Sequence, residues 1–121
     1  MPELLKGNAA IITGSSRGIG RAIALAFAQN GADVVIHGTR EDALRQLQDE
    51  IRALGVRCEY VAGDIGDYAT AERLAETCLR AYGKIDTLVN NAGINRRYSF
   101  ADVTPEEWDR MIRTNLTSAF Y

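Results

Sequence analysis

Short apolar runs alternate along the chain with segments whose apolar positions recur every three or four residues. The run "NAAIIT" predicts a first strand ending at Thr13-Gly14. A helix follows, carrying Ile19, Ile23 and Phe27 at four-residue spacing, with Gly31 as a left-handed stop. "DVVIH" predicts a second strand. Glu41 to Leu54 predicts a second helix with Leu44, Leu47, Ile51 and Leu54 on one face and Gly55 at its end. "VRCEYVA" predicts a third strand that runs into Gly63-Asp64. A helix from about Tyr68 to Tyr82 turns Leu74, Cys78 and Leu79 inward and stops at Gly83. "IDTLVNN" is the fourth strand. Thr104, Pro105 and Glu107 then open a last helix as a capping box, in the N-cap, first and third helical positions.

This βαβαβαβα order, with short connections and continuous Val/Ile/Leu strands, predicts an α/β fold: a doubly wound parallel sheet covered by helices on both faces. Right-handed crossovers place the strands in the order 3-2-1-4. No repeat, linker or internal boundary divides residues 1–121, which read as a single domain.

Composition narrows the function only by exclusion. Apolar residues make up 46% and charged ones 25%, an ordinary balance for a globular protein. A formal net charge of −2, with basic residues scattered apart from Arg96-Arg97, argues against nucleic acid or an anionic membrane as partner. No apolar run approaches the ~20 residues of a membrane span, and a cytoplasmic protein is expected. Cys58 and Cys78 lie in apolar segments and read as core residues rather than a disulfide. No metal site is expected.

The candidate chemistry begins at "TGSSRGIG" (13–20), between the first strand and the first helix. Gly14 permits a sharp turn off the strand. Gly18 and Gly20 remove side chains where a diphosphate must approach the helix and where the helix must approach the sheet. The free N–H groups and dipole of that helix start attract an anion. The competing reading is an ordinary strand-to-helix turn. Asp64, with the Ile65 N–H after it, sits just past the third strand and suits the amino group and ring nitrogen of an adenine; its alternative is a helix N-terminal charge. Asn90-Asn91-Ala92-Gly93 ends the fourth strand with small residues that let the backbone pass close to a ligand.

With "TGSSRGIG", "GDI" (63–65), "NNAG" (90–93) and an asparagine at 115 in "RTNLTSAF", the chain resembles the classical short-chain dehydrogenases/reductases from Lys6 to its last residue. The resemblance implies a Rossmann domain and a nicotinamide dinucleotide held by Gly14, Ser16, Arg17, Gly18, Ile19, Gly20, Arg40, Asp64, Ile65, Asn91, Ala92 and Gly93. It also implies hydride transfer between that cofactor and a small-molecule carbonyl/alcohol substrate, in a homo-oligomer, either dimer or tetramer. "NNAGINRR" is similar to 3-oxoacyl-carrier-protein reductases and, through Arg96-Arg97, to gluconate-type sugar-acid dehydrogenases; a solvated surface pair is the competing reading of the two arginines. A non-catalytic dinucleotide-binding module is the alternative function. A nucleoside-binding methyltransferase is disfavoured, because the second strand lacks an acidic residue for the ribose.

That same lack decides the cofactor. The second strand ends His37-Gly38-Thr39-Arg40, without the aspartate that holds a ribose 2′-hydroxyl, while Arg17 and Arg40 suit a 2′-phosphate. NADP is therefore expected over NAD. Arg40 as a solvated charge beside Glu41 and Asp42 is the competing reading. His37 reads as a packed strand-end residue without chemistry. Asn115 falls on the face of Met111, Ile112, Leu116 and Ala119, where an unpaired amide would cost about 1–3 kcal/mol. The resemblance assigns it a catalytic role, holding a water in a proton relay; the competing reading is an asparagine satisfied by local backbone groups, with no catalytic part. The family's Tyr-x-x-x-Lys pair does not occur in residues 1–121, so the stretch is expected to be the amino-terminal, adenosine-binding half of a reductase, inactive by itself.

Overall fold

β-branched side chains pack well on a pleated surface, and here they fill the centre of a parallel sheet. The computed structural model describes residues 3–92 together with 105, 106 and 109. Its elements are β1 (Ala9–Ile12), α1 (Gly18–Gln29), β2 (Asp33–Gly38), α2 (Glu41–Arg52), β3 (Cys58–Ala62), α3 (Tyr68–Tyr82) and β4 (Thr87–Val89). The strands lie in the order β3-β2-β1-β4, all parallel, with Ile11 of β1 opposite Val35 on one side and Leu88 on the other. This is the predicted doubly wound, Rossmann-type arrangement.

Strand residues alternate between the two faces, and each face has its own core. Ala10, Ile12, Val34 and Ile36 pack with Ala24, Ala28, Leu44, Leu47 and Ile51 of α1 and α2. Ala9, Ile11, Val35 and Val61 pack with Leu74 and Cys78 of α3 and with Ile65. Gly31, Gly55 and Gly83, the expected helix stops, all have positive φ. At the amino end of β1, Asp86 Oδ2 accepts the Ala9 N–H at 2.8 Å and lies 3.0 Å from Lys84 Nζ. That hydrogen bond, with the lysine, holds the Asp86 carboxyl below the usual range.

The packed faces differ from expectation in three places. In α1 the buried stripe is Gly20, Ala24 and Ala28, whereas Ile19 is 74% exposed and Ile23 and Phe27 are only half-buried. Small residues bring the helix axis close to the sheet, and the larger ones one position earlier flank the contact. In α3 the buried stripe is Thr70, Leu74 and Cys78, and Leu79, rotated a further ~100° along the helix, is exposed. Leu54 falls beyond the end of α2 and is exposed as well. Cys58 and Cys78 are free and buried. No described helix is long and apolar enough to cross a membrane. Of the predicted last helix only residues 105, 106 and 109 are described, and they are helical.

Candidate dinucleotide site at the carboxyl ends of the strands

The carboxyl ends of β1, β2, β3 and β4 open on one side of the sheet, and every described candidate residue lies there. Thr13, directly after β1, is the first tie. Its hydroxyl donates to the Val89 carbonyl at 3.3 Å and accepts the N–H groups of Asn91 and Ala92, each at 3.0 Å. The chain after β4 is thus laid against the glycine loop. Asn91 then donates its side-chain amide to the Gly14 carbonyl at 3.0 Å.

These contacts explain two of the glycines. Gly14 has φ +62, and a Cβ there would come within 2.7 Å of the Ala92 Cα. Gly20 needs no unusual φ; a Cβ on it would lie 2.2 Å from the Gly14 carbonyl oxygen and 2.5 Å from Asn91 Nδ2. Gly20 is therefore absent of side chain so that the start of α1 can close over the Asn91–Gly14 hydrogen bond. Gly18, at φ +61, faces open space: beyond its own chain neighbours and helix backbone, no described atom lies within 4 Å of a Cβ built there.

Ser15 is fully buried and belongs to the frame of the loop. Its N–H donates to the His37 carbonyl at 2.7 Å, and its hydroxyl accepts the His37 N–H at 2.9 Å and lies 2.9 Å from the Ile12 carbonyl. Gly14 donates its N–H to His37 Nδ1 at 3.0 Å. The N–H groups of Gly14 and Ser15 are thus satisfied internally, whereas those of Ser16, Arg17, Gly18, Ile19 and Gly20 have no partner among the described residues. The first turn of α1 carries no acidic residue, and Arg17 at its N-cap makes no side-chain cap hydrogen bond. A row of free donors at a helix start, with no acidic residue in its first turn, suits an anion.

The adjoining end of β2 is cleared in the same way. A Cβ on Gly38 would meet Ser16 Oγ at 2.9 Å and Ser16 Cβ at 3.0 Å, so Ser16 fills the place a side chain at 38 would take. Arg40 follows at the N-cap of α2, exposed, with Nη2 3.3 Å from Asp42 Oδ2. Glu41 is turned away from it: it accepts from the Tyr60 hydroxyl at 2.8 Å and from Arg45 at 3.1 Å. The Tyr60 hydrogen bond, with Arg45, holds the Glu41 carboxyl low. The acidic neighbours expected to offset Arg40 are therefore reduced to Asp42, in a surface pair of the kind that contributes little.

Past β3, Asp64 is exposed and uses Oδ1 to accept the Gly66 N–H at 2.8 Å. Ile65 buries its side chain in the α3-side core, and its N–H has no partner among the described residues. Gly93, Arg96, Arg97 and Asn115 lie outside the described residues. Thr13, Ser15 and His37, which build the frame, were not among the expected site residues. Their role depends on partners up to 79 positions distant, a distance at which local patterning carries no signal.

A family model for short chain dehydrogenases matches residues 8–121. The chain is 39% identical over 120 residues to the L-rhamnose 1-dehydrogenase (NAD(P)(+)) of a Sphingomonas species, covering 98% of this chain and 47% of that protein. It is 40% identical over 119 residues to versicolorin reductase 1 of Aspergillus parasiticus, covering 97% and 45%. Among solved structures, a short chain dehydrogenase from Burkholderia cenocepacia in complex with NADP superposes with TM-score 0.93 at 36% identity, covering 97% of this chain and 48% of that one. The L-sorbose reductase of Gluconobacter frateurii, complexed with NADPH and L-sorbose, gives 0.92 at 32% identity, covering 99% and 46%. The chain spans about half the length of the curated relatives it matches.

Proposed function

Because the chain belongs to the short chain dehydrogenase family, we propose that it is the dinucleotide-binding part of an oxidoreductase that uses NADP to interconvert a small carbonyl compound and its alcohol. The observation that carries this reading is the row of free N–H groups from Ser16 to Gly20 at an uncrowded helix start. Bound NADP would supply the hydride acceptor, or as NADPH the donor. The residues of this chain would bind and orient it. The Ser16–Gly20 backbone would receive the diphosphate, with Ile19 exposed beside it, and Arg17 and Arg40 would pair with the 2′-phosphate. Asp64 and the Ile65 N–H would meet the adenine; Asn91, Ala92 and Gly93 would line the ribose. Asn115 would hold a water for the proton relay.

A preference for NADP over NAD is supported by the absence of a carboxylate at Gly38 and by the cofactors of the two structural neighbours. For the substrate we favour a sugar or sugar-acid over a 3-oxoacyl thioester. Two relatives are named for L-rhamnose and L-sorbose, and a carbonyl/alcohol pair flanked by hydroxyls is common to both. The test is a titration of NADPH and NADH into the protein and its Arg17→Ala and Arg40→Ala variants, followed by NADPH oxidation with a panel of ketoses and 3-oxoacyl thioesters. Loss confined to NADPH supports the 2′-phosphate assignment; equal loss for both cofactors would sink it. Turnover with thioesters alone would reverse the substrate preference.

A further inference from the structure

His37 is the single histidine of the chain, 2% exposed at the end of β2, and both of its ring nitrogens are engaged. Nδ1 accepts the Gly14 N–H at 3.0 Å, so Nδ1 carries no proton and the ring proton resides on Nε2. Nε2 then donates to the Gly63 carbonyl at 2.8 Å. One imidazole in one tautomer therefore bridges the loop after β1, where a diphosphate would sit, and the loop after β3, where an adenine would sit. The backbone of the same residue holds Ser15 through three further contacts.

Resting on the cofactor reading above, we propose that His37 is a positioning residue for the dinucleotide. Its imidazole ties the glycine loop to the Gly63-Asp64 loop and holds them at the separation the adenosine half requires. Among the described residues, the charged groups that bear on the ring are Asp64, in the loop after β3, and Arg73, from α3 on the same face of the sheet. Arg73 is anchored nearby by donating to the Ala62 carbonyl at 2.8 Å. The first turn of α1 brings no carboxylate. Burial outweighs the Gly63 and Asp64 contributions and holds the ring neutral, as the clasp needs. A protonated ring would present an N–H to the Gly14 N–H, donor against donor, and the glycine loop would be released.

The experiment compares NADPH affinity between about pH 8 and about pH 5, by quenching of intrinsic fluorescence, for the wild-type protein, His37→Leu and His37→Asn. Leucine fills the space without either bond. Asparagine restores an acceptor opposite the Gly14 N–H and does not titrate. His37→Leu is expected to weaken binding by about tenfold or more at pH 8 with its helical circular dichroism retained. His37→Asn should stay within about threefold at pH 8 and lose less affinity than the wild type as pH falls through the lowered titration of the wild-type ring. The 2′-phosphate of the ligand itself titrates near pH 6, equally in every arm, so the difference between proteins is the readout. A wild type that binds NADPH while His37→Leu binds equally well overturns the proposal. So does a wild type whose pH profile matches that of His37→Asn, and this arm holds if His37→Leu fails to fold. If the wild type binds neither NADPH nor NADH at pH 8, the cofactor reading falls, and this proposal with it.

Discussion

The Asn91 side-chain amide and the Gly14 carbonyl are joined at 3.0 Å in the space that a side chain on Gly20 would occupy. Gly20→Ala should therefore break this clasp or push α1 off the sheet. Overpacking of this kind costs about 1–3 kcal/mol. Asn91→Ala removes the hydrogen bond without the clash and should cost about 1 kcal/mol. Urea denaturation measures both, and a Gly20→Ala variant as stable as the wild type would show that α1 approaches less closely than described.

Ser16 and Gly38 form a second such pair. Gly38→Asp, introduced to receive a ribose 2′-hydroxyl, should disfavour NADPH by about tenfold or more and also destabilise, because its Cβ meets Ser16 at 2.9 Å. Adding Ser16→Gly should restore stability and leave NADH as the better ligand. Binding titrations and melting temperatures of the single and double variants separate the two effects.

Two groups give stability a dependence on pH in different windows. The His37 pKa is lowered by burial, so the unfolded chain takes up a proton that the folded one resists. Stability should fall as pH drops below the unfolded value of about 6.5. Asp86 is also lowered, first by the Ala9 N–H, so its contribution is present above about pH 3.9 and lost as pH falls through its lower folded value. Melting curves of the wild type, His37→Asn and Asp86→Asn across these ranges check both. His37→Asn should flatten the upper window only, and Asp86→Asn the lower one only.

The cysteines should be inert in the native state. Burial pushes the Cys58 thiol up to about 12 and raises that of Cys78. A thiol reagent at about pH 8 should label neither until denaturant is added, and reductant should leave the melting temperature unchanged. Rapid native labelling of either would place it nearer the surface than the structure does.

The sheet order and the positions of the three described helices were legible because each depends on local periodicity and glycine punctuation. Tyr68–Tyr82, for example, is an amphipathic run closed by Gly83. The buried face of α1 was not. Ile19, Ile23 and Phe27 are the obvious apolar stripe, but a helix that must start against the Gly14 carbonyl can approach only through Gly20, Ala24 and Ala28. The candidate site divides the same way. Its glycines and arginines announce themselves, but His37, Thr13 and Ser15 gain meaning only once distant strands are adjacent.

The hydrogen bonds of Gly14 and Ser15 to His37 split the glycine loop into two parts with different tolerances. Residues 13–15 are masonry: their polar groups face inward, and changes there should be felt as loss of fold whatever the ligand. Residues 16–20 are the part proposed to receive the cofactor, and their backbone N–H groups have no partner among the described residues. Attempts to retune this protein toward another dinucleotide have room at the exposed Arg17 and Ile19 side chains, but none at Gly20 and almost none in residues 13–15.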